Sequence, residues 1–226
     1  MSEQPQTFWT KTKHFLAYVR EEYIRFPLYI LAHPLKGFEI FKREKKAKMA
    51  VGITFIVLIV ILNILSFQYA GFEVNHNEIR DLNSIAEIIY IVAPVLLLTI
   101  ANWSVTTLFD GKGKMKEIFL MFSYSLFPLL WATGAGIILS NVLTGEETAL
   151  YFLVIGVGWF LTGYIAFFGM ISIHEYTLTQ NLLTIFFTII ASAIVLFIGL
   201  LFFDLFQRMY GFLHTIYREI TLRNLI

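Results

Sequence analysis

The run Lys42-Arg43-Glu44-Lys45-Lys46-Ala47-Lys48, followed without a break by MAVGITFIVLIVILNILSFQYAGF (Met49–Phe72), decides the fold. The apolar window contains no Asp, Glu, Lys or Arg. It exceeds the roughly 20 residues that a helix needs to cross about 30 Å of hydrocarbon. The cations stop where the apolar residues begin, as they do beside a membrane span whose preceding segment stays on the cytoplasmic side.

Four further windows share this character: Ile88–Phe109, Ile118–Gly145, Thr148–Ile173 and Tyr176–Phe203. All are far longer than the roughly 9–11 residues of a membrane strand, so helices are expected. Composition agrees. Of the 226 residues, 58% are apolar and only 15% charged, against about 25% charged in a soluble domain. There is too little polar sequence to cover five such helices in water. The expected fold class is therefore all-α, a polytopic membrane bundle with five transmembrane helices and an amphipathic helix at either end. It divides as 1–48 (cytoplasmic, amphipathic and basic), 49–203 (the spans) and 204–226 (the C-terminal helix). The first long apolar run lies behind a charged segment too long for a signal n-region, so the first span is expected to stay in the mature protein.

Lys and Arg alternate between connections. Ten precede the first span, only Arg80 follows it, and Lys112, Lys114 and Lys116 occupy the next turn. The loop after span three has Glu146 and Glu147 instead, and that after span four has no cation. This predicts a cell-membrane protein with its N-terminus in the cytoplasm and its C-terminus outside. The Arg208, Arg218 and Arg223 of the tail oppose that weakly.

Phe8, Phe15, Leu16, Val19 and Tyr23 recur at helical spacing, with Lys11, Lys13, Arg20 and Glu21 turned elsewhere and Trp9 and Tyr18 adding amphipathic rings. A helix of this kind lies in a membrane interface. Pro27 and Pro34 are expected to break the chain before a short segment, Leu35–Phe41. In the tail, Leu205, Met209, Phe212, Leu213, Ile216 and Ile220 fall on one face, suited to lipid or to a partner's helices.

No constellation asks for catalysis. Cysteine is absent, which removes thiolates and disulfides. The five histidines show no metal-binding spacing. Adjacent His174 and Glu175 point about 100° apart on a helix and are expected to snorkel at the interface. Gly111-Lys112-Gly113-Lys114 lacks the spacing of a phosphate loop and reads as a tight basic turn between spans. Glu87 suits the first turn of span two. Asn63 and Asn102 are the polar groups within spans, each able to bond between helices. Ala132, Gly136 and Ser140 form a stripe of small residues for close helix contact, and Pro94 and Pro128 should kink spans two and three.

Several stretches together resemble the Yip domain family of Rab/Ypt-interacting membrane proteins, in its bacterial branch. They are His33-Pro34-Leu35-Lys36-Gly37-Phe38, the turn Asp110–Ile118, Ser123-Tyr124-Ser125-Leu126-Phe127-Pro128 and His174-Glu175-Tyr176-Thr177-Leu178. Ser123 stands where the family usually has Gly. The match runs over about residues 28–203. It implies a five-helix membrane protein without established enzymatic activity. Eukaryotic members carry an Asp-Leu-Tyr-Gly-Pro motif ahead of the first span that this chain lacks, so Rab binding is not carried over. Bacterial relatives are often encoded beside sugar ABC transporter components, which implies an accessory role.

The expected function is thus a non-enzymatic adaptor or accessory subunit, with an ABC-type transporter as one candidate partner. The alternative is a small permease for an apolar or zwitterionic solute, suggested by Pro94, Pro128, Asn63 and Asn102. No cofactor, metal or nucleic acid is expected. Expected partners are anionic headgroups on the cytoplasmic face and a membrane protein or a second copy. The candidate interaction residues are Lys42, Arg43, Lys45, Lys46, Lys48, Gly111, Lys112, Gly113, Lys114, Tyr124, Pro128 and His174. A single cysteine placed near Lys45 should resist a membrane-impermeant thiol reagent in intact cells; labelling from outside would reverse the orientation.

Overall fold

Each apolar window becomes a helix, since in lipid the backbone satisfies its polar groups only within itself. The computed structural model describes residues 8–223, with side chains from Lys13 to Thr221 apart from Ile79. The helices are α1 (Phe8–Val19), α2 (Phe26–Ala32), α3 (Pro34–Arg43), α4 (Met49–Tyr69), α5 (Ser84–Thr106), α6 (Met115–Ser125), α7 (Phe127–Ser140), α8 (Thr148–His174) and α9 (Leu178–Arg223). No strand occurs among the described residues. Five helices are long and apolar enough to cross a membrane, with α6 and α7 together forming the third.

The two prolines of the N-terminal segment behave differently. Pro27 does not break the chain. It sits at the start of α2, which continues directly from a π-helical turn, Arg20–Arg25, so the helix passes through the proline without a break. Pro34 does break it: His33 leaves the helical region at φ −136° and ψ 68°, as a residue before proline is driven to do. Within the spans, Pro94 lies inside an uninterrupted α5. Ahead of Pro128 the third span is interrupted at Leu126 between α6 and α7.

The segment ahead of the first span is part of the bundle rather than a region apart. On α3, Pro34, Gly37, Phe38 and Phe41 are buried while Lys36, Glu39 and Arg43 face out. Phe26 and Ile30 of α2 join Phe38 and Phe41 in one core with α4, α6 and α8. Tyr124 of α6 stands at its centre, 1% exposed. The rings of Phe26, Phe41 and Phe55 meet it edge-on at 6.1, 5.4 and 5.5 Å, and its hydroxyl accepts the Lys48 N–H at 3.2 Å. Such ring pairs contribute about 0.5–1.5 kcal/mol each beyond area burial. On α1, Phe15 and Leu16 remain exposed; the side chains of Phe8, Trp9 and Lys11 lie outside the described residues.

The small-residue stripe meets α8 at Ala132 and Gly136 and the turn after α4 at Ser140. Ala132 abuts Gly158, Gly136 lies against Ile155, and Ser140 Oγ accepts the Gly71 N–H at 2.9 Å. Asn83 caps α5, accepting from the N–H groups of Ile85 and Ala86, and Glu87 occupies its first turn.

The expected C-terminal helix is helical but has no boundary at residue 204. α9 runs for 46 residues, about 70 Å at 1.5 Å per residue, more than twice the hydrocarbon thickness. Its first half packs on α5, where Asn181, Thr184 and Thr188 are buried. From Asp204 onward every described side chain is exposed.

The hairpin of α2 and α3 depends on Gly37, where an added Cβ would lie 2.9 Å from the Ile30 Cα. Gly37→Ala should destabilise the protein by about 1–3 kcal/mol, read as a lower unfolding midpoint in detergent. Gly156→Ala, with nothing within 4 Å, should not.

Candidate functional site: a basic cleft over a buried histidine network

At the end of the bundle where α4, α6 and α9 begin, the basic turn after α5 lies against the end of α8. Here the chain buries a histidine. His174 is 1% exposed, so it does not snorkel. Its Nδ1 accepts the Gly113 N–H at 3.3 Å, which leaves the proton on Nε2 to be donated to Asn102 Oδ1 at 2.9 Å. Asn102 in turn donates to Thr188 Oγ1 at 3.1 Å and toward Met170 Sδ at 3.6 Å. The Tyr176 ring stacks on the imidazole at 4.9 Å between centroids. One chain of bonds thereby joins the basic turn, α8, α5 and α9.

The glycines of the turn are required by this approach. A Cβ on Gly113 would lie 2.6 Å from His174 Cε1, and one on Gly111 would lie 2.7 Å from His174 Nδ1 and strike the Tyr176 hydroxyl. Gly-Lys-Gly-Lys is thus a turn pressed flat onto an aromatic pair.

Above the network, α8 ends on Glu175, which adopts the left-handed conformation at φ 59°. Glycine usually takes this position, and a side chain there costs about 1 kcal/mol. From there its carboxylate forms a double ion pair, with Lys42 Nζ at 3.0 Å and Lys112 Nζ at 2.6 Å. Hydrogen bonds from Lys112 and then Lys42 pull the Glu175 carboxyl down to about 2, so it stays ionised. Lys42 also donates to the Ile173 carbonyl at 2.8 Å, capping the negative end of α8. The neighbouring pair expected to point apart thus acts on two sides of one corner, His174 inward and Glu175 outward.

These groups floor a cleft of about 650 Å³ between α3, the basic turn, the start of α6 and the end of α8. Lys42, Arg43, Lys45, Lys112 and Lys114 line it together with Lys36. The other two candidate cations do not. Lys48 pairs with buried Glu22 at 2.8 Å and stands 4.4 Å over the Tyr18 ring; the Glu22 bond raises its pKa. Lys46 lies 3.7 Å from Glu21 and 4.8 Å over the Phe26 ring. The basic run therefore divides at Lys45, the residue at φ 50° that turns the chain between α3 and α4. Tyr124 lies in the core, away from the cleft, and Pro128 borders a separate apolar groove of about 410 Å³ with Trp131 and Gly158.

Glu22 and the buried polar face of α9 were not singled out from the sequence. A signal for the latter existed: Asn181, Thr184, Thr188 and Ser192 recur at helical spacing through an otherwise apolar window. Of the two span asparagines, Asn102 bonds between helices as expected, while Asn63 borders a small pocket at the opposite end of the bundle with Ser66, Asn75 and Glu87. Asn102→Ala should strand the His174 Nε2–H and cost about 1–3 kcal/mol, seen as a lowered unfolding midpoint. Asn63→Ala should leave the midpoint nearly unchanged; equal effects would remove the network's role.

No curated protein and no solved structure matches this chain. The family model of the Yip1 domain matches residues 28–211, from α2 through the five spans into the exposed half of α9. This range takes in the cleft, its histidine network and Tyr124, and with it the chain belongs to the Yip1 domain family, as a multi-pass membrane protein.

Proposed function

We propose that this protein is a non-enzymatic adaptor or accessory subunit of a membrane complex, resident in the cell membrane with its basic end in the cytoplasm. The observation that carries the reading is α9. Beyond its contact with α5, this helix continues for about 30 Å with Leu205, Met209, Phe212, Leu213 and Ile216 exposed on it. An apolar helical face of that length beyond a span is suited to a partner's helices. The polar groups buried in the spans support the same reading. Asn102, His174 and Thr188 are bonded to one another, an arrangement suited to rigid support. The orientation rests on the cations gathered at one end of the bundle. An ABC-type transporter is one candidate partner.

The test is site-directed crosslinking of the full chain in native membranes at native expression. Photoreactive residues at Met209 and Phe212 should capture a specific membrane protein, while one at Gln207, off the stripe, should capture far less. A chain that remains uncrosslinked and purifies as a lone monomer in mild detergent would overturn the adaptor reading. Capture of a second copy alone would replace it with a homo-oligomer.

A further inference from the structure

The cleft over the histidine network holds more positive charge than its own carboxylates neutralise. Glu175 is shared by Lys42 and Lys112, and Glu39 pairs with Arg43 at 2.9 Å. Glu117, the third acid in the lining, turns back to accept the Lys114 N–H at 3.0 Å and so closes the cap of α6. Lys36, Lys45 and Lys114 form no ion pair among the described residues, and all three are exposed on the cleft's walls. They come from three separate places: the outer face of α3, the left-handed corner before α4 and the start of α6.

Position narrows the class of ligand. The cleft opens where α4 and α6 begin and α8 ends, which is the level at which apolar spans give way to headgroups. Exposed Leu35 and half-buried Ile171 share the lining with the lysines. A site for a freely soluble anion has no use for that apolar edge, whereas a headgroup brings its glycerol and upper acyl carbons with it. Lysine ammonium groups act as point charges toward phosphate and add roughly equal increments of attraction.

We propose that the cleft between α3, the Gly-Lys turn and the end of α8 binds the phosphate of an anionic phospholipid headgroup, held by Lys36, Lys45 and Lys114. The Lys42–Glu175–Lys112 bridge and the buried His174 beneath it set the floor and keep the three walls in register. Lys46 and Lys48, although part of the same basic run, contribute little, because Glu21, Glu22 and two aromatic rings already hold them. This site is independent of any partner on α9.

The experiment uses the full chain in nanodiscs of phosphatidylcholine doped with phosphatidylglycerol, with retained lipid read by native mass spectrometry at physiological salt. Wild type should retain the anionic lipid saturably. Lys36→Gln, Lys45→Gln and Lys114→Gln should each weaken retention about fivefold, and the triple variant on the order of a hundredfold. The charge-matched triple Arg80→Gln, Arg208→Gln and Arg218→Gln, away from the cleft, should stay within about twofold of wild type. The single variants keep the reading available if the triple fails to fold, and Lys→Arg at all three positions should restore retention. Equal losses in the cleft triple and the control would overturn the proposal in favour of a diffuse field. Inorganic phosphate or glycerol phosphate binding in pure phosphatidylcholine as tightly as the doped lipid would overturn it in favour of a soluble phosphate.

Discussion

The hydrogen bond from His174 to Asn102 holds the rest of this end of the molecule in place. A donor and an acceptor buried within a lipid-surrounded bundle have no water to fall back on. Their pairing, extended to the Gly113 N–H on one side and Thr188 on the other, fixes four separate parts of the chain relative to one another. The two glycines of the basic turn follow from it, because only a bare backbone comes close enough to the imidazole and to Tyr176. The left-handed ending of α8 follows as well. Burying His174 at the last position of the helix sends Glu175 outward, to the point where Lys42 and Lys112 meet it.

From that corner the distribution of charge is settled. A basic run beside a membrane span is ordinarily a topology signal and nothing more. Here it is divided by backbone geometry at Lys45. One part is neutralised by Glu21 and Glu22 on the helical segment before α2, and the other faces a cleft in which cations outnumber carboxylates. Local conformation, rather than the count of lysines, decides which of them are available to a ligand.

The motifs that carried the family resemblance turn out to have mainly structural reasons. Tyr124 is a hub for three phenylalanines, and its hydroxyl secures the first residue before α4. Pro128 marks the interruption of the third span. The stretch around Pro34 and Gly37 shapes a hairpin that closes the end of the bundle, and the histidine and Gly-Lys motifs meet each other in space. Three motifs far apart in sequence, around Gly37, the Gly-Lys turn and His174, thus meet at one end of the molecule, and the family match from residue 28 to residue 211 contains them all.

The amino-acid sequence by itself determined the spans. Apolar windows free of charge have only one stable form in lipid, so their number and order were legible, as were the break in the third span ahead of Pro128 and the bonding role of Asn102. The site was legible only as fragments. Gly111, Gly113, Lys42, Lys112 and His174 were each visible, yet periodicity places a residue on its own helix and says nothing about which helix faces it. Hence His174 was expected at the interface and Pro27 was expected to break the chain, while the tail was set apart from a span with which it is continuous. The pairing of helices decided those matters, because the burial of a polar side chain depends on whether a partner stands opposite to bond it.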